Sequence, residues 1–194
     1  MAKRIAIIQG HPDGASRHLL HAMADAYAEG ASSAGHAVRR IEVAQLAFPL
    51  LRTQAEFEAG ALPPALQQAS SDIRWAEHWL FLFPLWHGTM PALLKAFLEQ
   101  VFRPTFAFEH VEKGFPKGRM KGKSARVIVT MGMPAPVYRW WFLAHGVRGL
   151  ERSILSFCGI SPVRETLIGS VDAASPPTRD AWMKKVRALG RKAA

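Results

Sequence analysis

The chain has 194 residues, of which 49% are apolar and 21% are charged, a composition typical of a globular chain long enough to bury a core without metals or disulfides. No apolar run reaches the length of a membrane span, so we expect no integral membrane segment. The formal net charge of +10 favours anionic partners such as nucleotides, nucleic acid or acidic lipid, and it carries no information about the fold.

Short apolar runs alternate with segments of helical spacing along the chain. In chain order, the pattern predicts strand 4–8, helix 16–33, strand 37–43, a helix within 62–75, strand 78–83, helix 91–102, strand 124–130, helix 146–157, strand 163–168 and a helix from 175 towards 191. The strands are apolar almost without interruption, which is typical of parallel strands buried on both faces.

This alternation predicts an α/β fold: one domain over residues 1–194, with a five-stranded parallel sheet in a three-layer α/β/α arrangement. Right-handed crossovers leave few topologies, and the flavodoxin-like strand order 2-1-3-4-5 fits best. In that order, ligands bind at the carboxyl ends of the strands beside the switch point between the first and third strands. We therefore expect the chemistry in the loops after residues 8, 83 and 130.

The first loop joins a strand to a helix over residues 9–16. Gly10 and Gly14 allow tight turns, and Ser16 can cap the helix, which leaves backbone N–H groups that suit a phosphate. The basic side chains beside these groups are His11, Arg17 and His18. The loop matches neither the G-x-G-x-x-G nor the Walker A pattern, and a plain helix cap is the alternative interpretation.

The second loop has the sequence FPLWHGTMP over residues 83–91, which is apolar and aromatic where most turns are polar. A flat, partly apolar ring such as isoalloxazine could lie on it, with backbone groups meeting the polar edge of the ring. The alternative is a tryptophan packed under a neighbouring helix.

The third loop, residues 130–138, also follows a core strand and also mixes glycine and proline. Tyr138 and, shortly after it, His145 could donate hydrogen bonds to an anion that develops on a bound ring. The alternatives are a surface tyrosine and a residue that merely begins a helix. The three loops together indicate a nucleotide-type cofactor at the edge of the sheet.

Several other features carry weaker predictions. The basic stretch 113–123 is interrupted by glycines and a proline, which predicts a solvated loop or a flap that meets nucleotide phosphates; we expect no nucleic-acid site, because a recognition helix and an aromatic platform are absent from it. His18 and His21 are close on one helix without a completing ligand set, so we expect no metal. Cys158 is the only cysteine, and its apolar neighbours predict a buried, inert thiol. The chain begins with no secretory signal pattern, so we expect a cytoplasmic protein.

The segment FPLWHGTMPALLK over residues 83–95, continued as AFLEQVF to residue 102, resembles the signature of the NAD(P)H quinone dehydrogenase family, the DT-diaphorase type and its small bacterial relatives. Further similarities run in the family's order along nearly the whole chain: His11 with Ser16, Phe106 to Phe108, Tyr138, His145 with Gly146, and Phe157 to Gly159.

The resemblance implies a flavodoxin-like domain that holds FMN or FAD, with FMN favoured. Four residues are similar to the family's phosphate loop: His11, Ser16, Arg17 and His18. The segment against the ring would comprise Pro84, Leu85, Trp86, His87 and Gly88, and the loop at its pyrimidine edge Thr130, Met131, Gly132 and Met133. Tyr138 and His145 resemble the pair that stabilises negative charge on the reduced flavin, with one more residue between them than in the mammalian type.

The function that the resemblance implies is NAD(P)H:quinone oxidoreduction, with NADPH or NADH giving hydride to the flavin and a quinone or similar acceptor taking two electrons at the same place in a ping-pong cycle. The family acts as homodimers with the active site at the interface, where Phe106 and Phe108 approach the partner's flavin. A flavin-binding ancillary subunit of a membrane transporter, a nucleic-acid binder suggested by the charge, and an azo or nitro acceptor remain the alternatives.

Overall fold

The computed structural model of the chain describes residues 1–104, 106–109 and 116–194. Its strands are β1 Arg4–Gln9, β2 Ala37–Glu42, β3 His78–Pro84, β4 Phe108–Glu109, β5 Lys117–Gly118, β6 Ser124–Thr130 and β7 Val163–Ile168. Its α-helices are α1 Leu19–Ser33, α2 Gln54–Ala59, α3 Gln67–Trp75, α4 Ala92–Val101, α5 His145–Arg148 and α6 Pro176–Lys192. Short 3₁₀ turns lie at Val43–Gln45 and Pro64–Leu66, and π-helical stretches at Val137–Trp141 and Gly149–Ser156.

Five strands form one parallel sheet in the order β2-β1-β3-β6-β7. Counted along these five strands alone, this is the predicted order 2-1-3-4-5, which is thereby confirmed. β1 pairs with β2 on one side and with β3 on the other. The sheet is therefore extended first on one side of β1 and then on the other, and the switch point lies between β1 and β3. The loops after β1, β3 and β6 consequently emerge at the same edge of the sheet, as predicted.

Both faces of the sheet are buried, because successive side chains of a strand point to opposite faces. In β1, Ile5 and Ile7 face α1 and α6, whereas Ala6 and Ile8 face the layer that contains α3, α4 and α5. All of these side chains are buried completely. This explains why the strands are apolar without the alternation that a half-exposed strand would show.

The helix after β1 begins later than predicted. It starts at Leu19 with His18 in the N-cap position, so the prediction that Ser16 caps it is wrong. The residues before it are instead held by Asp13, whose side chain accepts hydrogen bonds from the Ala15 and Ser16 N–H groups. An Asp side chain that accepts hydrogen bonds from backbone N–H groups two and three residues later favours a turn at that point, which explains why the helix begins later.

Three structural features were not predicted from the sequence. They are the short helix α2, the two-stranded antiparallel hairpin of β4 and β5, and the π-helical stretch at 137–141. The basic stretch 113–123 lies partly outside the described residues, and its described part includes β5 and so is not wholly a loop. Within the described part of the chain, no helix combines the length and the apolarity that crossing a bilayer requires.

Candidate functional site

The loops at the carboxyl edge are joined to neighbouring strands by backbone hydrogen bonds. The Gly10 N–H donates to Leu82 O at 2.7 Å, which ties the first loop to β3. The Leu85 N–H donates to Thr130 O at 2.8 Å, which ties the second loop to β6. These bonds continue the hydrogen-bonding pattern of the sheet beyond the ends of the strands. They hold the first and second loops, with their predicted site residues, at the same edge of the sheet.

The first loop already holds an anionic group. The Asp13 carboxylate accepts hydrogen bonds from the Ala15 N–H at 2.8 Å and the Ser16 N–H at 3.3 Å, and it lies 2.7 Å from His18 Nε2. The hydrogen bond with His18, followed by that of Ala15, lowers the pKa of Asp13 to about 2. The donors of the loop before α1 therefore converge on a negative charge, as they would in an anion site.

Histidine rings surround this loop. His11 and His18 stack with their ring centroids 3.9 Å apart, and His21 lies 5.6 Å from His11 and 5.8 Å from His18. Burial, followed by the nearby charge of His18, lowers the pKa of His11. His21 was not predicted to belong to this group; its position one turn after His18 on α1 was the signal for it. Among the described residues, no group of three or more histidine, cysteine or acidic side chains is placed to hold a metal ion.

Arg17 does not point into the loop. It is paired with Asp25, which also binds Arg40 at 2.6 Å, so its guanidinium lies over the side of α1 towards β2. An open cavity of about 420 Å³ lies there, lined by Ser16, Arg17, Asp25 and Arg40 among others. The structure thus brings His11, Ser16 and His18 together around Asp13, whereas Arg17 shares a cavity with Ser16 and directs its guanidinium to Asp25.

The second loop is a tight turn. The N–H of Trp86 donates to Thr89 O at 2.9 Å, and the N–H of Thr89 donates to Trp86 O at 3.0 Å. The central residues, His87 and Gly88, have φ angles of 47° and 78°, the left-handed pair that a type I′ turn requires. Trp86 remains 50% exposed, so the interpretation of a tryptophan packed under a helix is wrong. The aromatic ring stands at the edge of the site, available to a ligand.

Tyr138 is buried and links the second loop to α5. Its hydroxyl donates to Gly88 O at 2.9 Å and accepts from the Val147 N–H at 3.2 Å. The interpretation of an exposed surface tyrosine is therefore wrong. Because the single hydroxyl hydrogen is taken by Gly88, this side chain holds the turn and the helix together in this conformation.

His145 is exposed beside the same turn. Its Nδ1 lies 2.9 Å from Phe142 O, and because a carbonyl oxygen only accepts, Nδ1 carries the hydrogen. The other ring nitrogen, Nε2, is left to face the turn, close to the α-carbon of Gly88. It can donate a hydrogen bond only when the ring is doubly protonated. Gly146 packs directly against Gly88 O, and a side chain there would overlap it.

The loop after β7 joins the third loop, and sequence reasoning missed it. The N–H groups of Ser170 and Val171 donate to Met133 O at 3.1 Å and Met131 O at 3.2 Å. A β-carbon at Gly132 would lie 3.0 Å from the Asp172 carboxylate. Its position after the fifth strand was the available signal, since the carboxyl ends of all parallel strands share one edge.

An apolar groove of about 720 Å³ opens beside the site, between α4 and α5. Its walls include Met90, Leu98, Phe102, Phe108, Leu150 and Phe157, and His145 lies on its lining. Cys158 also reaches it but is buried, and burial raises the pKa of its thiol to about 12, in agreement with the predicted inert cysteine. The groove was not predicted, because it is formed by side chains more than 50 residues apart in the chain.

Comparison with known proteins identifies the fold. A family model described as flavodoxin-like fold matches residues 3–191. The FMN-dependent NADH:quinone oxidoreductase of Nitratidesulfovibrio vulgaris is 28% identical over 91% of each chain. A Haemophilus influenzae protein named an uncharacterized NAD(P)H oxidoreductase is 27% identical over 64% of this chain, and the similarity spans only 62% of that relative. The structure of an NAD(P)H:quinone oxidoreductase from Methanothermobacter marburgensis superposes with a TM-score of 0.85 at 22% identity, covering 100% of both chains.

Proposed function

Because the chain belongs to the flavodoxin-like fold family matched over residues 3–191, we propose that it is a flavin-dependent NAD(P)H:quinone oxidoreductase. The relative of similar length is named for that activity with FMN, so FMN is the cofactor in this proposal and NADH or NADPH the reductant. The observation that carries the proposal is the convergence of donors on the Asp13 carboxylate in the loop between β1 and α1, at the carboxyl edge of the sheet.

These donors fit a flavin phosphate. The Ala15 and Ser16 N–H groups and the ring of His18 already bind a carboxylate, so they can bind a phosphate when Asp13 turns away. His11, stacked on His18, and the Ser16 hydroxyl would complete the phosphate site. Arg17 would remain on Asp25 and neutralise charge from a distance.

The ring would rest against the second and third loops. Leu85 to Gly88 would contact one part of it and Thr130 to Met133 its polar edge. The Gln9 Nε2 group at the end of β1 is buried and has no partner among the described residues, which supports a polar ligand atom nearby. When bound, the flavin supplies the chemistry: it accepts hydride from NAD(P)H and passes two electrons to a quinone or similar acceptor.

His145 would act on charge at this edge and Tyr138 would position it. A doubly protonated His145 can donate from Nε2 to a negative oxygen, while its Nδ1–H stays on Phe142 O. The Tyr138 hydroxyl holds Gly88 and Val147, and thereby sets the distance between the turn and the first turn of α5.

A homodimer is part of the proposal. The apolar groove between α4 and α5 is lined by Phe108 and Phe157, whose rings are 5.1 Å apart, and it reaches His145. A second copy in this groove would bring apolar side chains to the site. A cytoplasmic location is also proposed, because NAD(P)H is an intracellular reductant; cell fractionation tests it.

The test begins with the purified chain. We expect bound FMN, released by heat and identified by chromatography, and NAD(P)H oxidation that depends on a soluble quinone. Ser16→Ala and His18→Ala should each weaken FMN binding about tenfold, through lost charge-assisted hydrogen bonds. Ser32→Ala, at the other end of α1, should leave binding unchanged. Equal FMN affinity in all four proteins would contradict the phosphate site. Tight FMN without turnover on any quinone would favour a flavin-binding ancillary subunit instead.

A further inference from the structure

A run of apolar side chains projects into solvent between the two predicted catalytic residues. Trp140 is 71% exposed, Trp141 82%, Phe142 42% and Leu143 59%. We call residues 140–143 the aromatic segment. The described part of the chain has other exposed apolar residues, but they do not form a run of this size. Contiguous exposed apolar surface of this kind marks a site of interaction with protein or membrane.

The backbone holds this segment outwards. The Phe142 N–H donates to Val137 O at 3.3 Å, and the Ala144 N–H donates to Tyr138 O at 2.9 Å. Leu143 and Ala144 have φ angles of 53° and 48°, a left-handed conformation that disfavours residues with a β-carbon. The buried Ala144 and Tyr138 thus anchor both ends, and the exposure of the aromatic segment belongs to the folded structure.

The chemistry of the segment fits a lipid surface. The indole ring is apolar with one N–H donor, and tryptophan accordingly prefers the boundary between water and hydrocarbon. Arg148 and Arg152 follow on α5 and the next stretch, both exposed, and neither forms an ion pair with a described residue. Aromatic side chains beside arginines are the usual composition of segments that lie in the headgroup region of a bilayer.

Charge complementarity selects the kind of lipid. The whole chain carries a formal charge of +10, so its long-range field attracts an anionic surface. Arg139 is partly compensated by Glu165 at 2.8 Å. The exposed Arg148 and Arg152, which follow the aromatic segment in the chain, add positive charge. On a neutral bilayer, only burial of the aromatic rings would favour binding. On an anionic bilayer, attraction between the basic side chains and the lipid headgroups would add to that burial, so we expect tighter binding there.

We propose that the aromatic segment inserts into the headgroup region of an anionic lipid bilayer and binds the protein reversibly to that surface. The segment is flanked by Tyr138 and His145, both of which adjoin Gly88. Binding would therefore turn the carboxyl edge of the sheet towards the membrane, where lipophilic acceptors are dissolved. The lipid interaction itself does not depend on the proposed oxidoreductase function.

The groove between α4 and α5, which we propose is covered by a second copy of the chain, is a different surface from the aromatic segment. It is concave and lined mainly by side chains of residues 89–102 and 145–158, none of which belongs to the aromatic segment, whereas the aromatic segment projects into solvent. A second copy of the chain could instead cover the aromatic segment, and the experiment is designed to detect that outcome.

The experiment is co-sedimentation of the purified chain with phosphatidylcholine vesicles that contain or lack phosphatidylglycerol. We expect binding to the anionic vesicles that falls as salt rises, and a blue shift of tryptophan emission with quenching by spin-labelled lipid. Trp140→Ser with Trp141→Ser should lower the partition coefficient by about tenfold or more. Arg148→Gln with Arg152→Gln should lower it more than Lys184→Gln with Lys185→Gln, which removes the same charge from α6.

Circular dichroism and thermal melting establish whether the variants are folded. If a variant does not fold, quenching of tryptophan emission in the unaltered chain by spin-labelled lipid still tests insertion. Failure of the unaltered chain to bind anionic vesicles, or equal binding by the double tryptophan variant, would overturn the proposal. So would a dimer that the double tryptophan variant abolishes while no vesicles are bound. Flavin content and turnover with a water-soluble quinone are measured on the same samples, so that failure of the oxidoreductase function is seen separately.

Discussion

The two faces of the sheet differ in how completely the chain covers them. On the face of α1 and α6, the two helices touch through glycines: the α-carbon of Gly30 lies against the backbone of Arg187, and that of Gly190 against the backbone of Tyr27. The buried Arg126 side chain bonds Thr166 Oγ1 at 2.8 Å and the Ala194 carbonyl. This face is closed by backbone-to-backbone packing.

The opposite face remains open. Between α4 and α5 it has a groove of about 720 Å³, and at its carboxyl edge stand the exposed Trp86, the aromatic segment and His145. Both faces therefore bury apolar side chains of the sheet, but only the face of α4 and α5 also retains open surface for ligands and partners.

The largest expected effect comes from a glycine on the closed face. Gly30→Ala should destabilise the protein by about 3 kcal/mol, because the new β-carbon overlaps the Arg187 carbonyl, which is backbone and cannot rotate away. Gly149→Ala is the matched change on the open face, where a β-carbon has no described heavy atom within 4 Å and the backbone is helical. It should be neutral or stabilising by up to about 1 kcal/mol. Urea denaturation measures both free energies of unfolding, and equal effects of the two substitutions would contradict the difference between the two faces.

The second prediction concerns pH and the closed face. Burial, followed by the charges of Lys3 and Arg126, lowers the pKa of His78 from 6.5 to about 3. Below pH 6.5 the unfolded chain therefore takes up a proton that the folded chain does not, so stability is complete above that pH and falls as the pH is lowered towards 3. The slope from this residue should be about 1.4 kcal/mol per pH unit.

The measurement is the free energy of unfolding between neutral and mildly acid pH. His78→Gln should remove this part of the slope. His87→Gln, an exposed histidine on the open face, should leave the slope as it is. If His78→Gln retains the full acid sensitivity, the closed face is not the source of it.

The third prediction compares the two residues predicted to act together. Tyr138→Phe should cost about 2 kcal/mol of stability, because Gly88 O and the Val147 N–H lose a buried partner. His145→Gln should change stability by no more than about 0.5 kcal/mol, since its ring is exposed. Thermal unfolding of the two variants measures the difference. A neutral Tyr138→Phe would show that the turn and α5 hold their positions without this hydroxyl.

The strands, their order and the edge at which the predicted site lies follow from the sequence alone. Strands β6 and β7 were predicted with the bounds that the structure has, because an apolar run with turn residues at both ends is a local signal. His11, Ser16 and His18 were likewise predicted together, since they follow one strand within a few residues. Their common position then followed from the rule that parallel strands end at one edge.

Which groups meet across long separations in the chain depends on how the elements pack in three dimensions. The spacing of Tyr138 from Gly88 along the chain gives no sign that its hydroxyl bonds to that carbonyl, or that Asp13 occupies the donors of the first loop. The groove and the loop after β7 appear only when helices and strands from distant segments are packed together. Periodicity records the surroundings of each residue along its own element, whereas a site is formed by contacts between elements, and those depend on the whole fold.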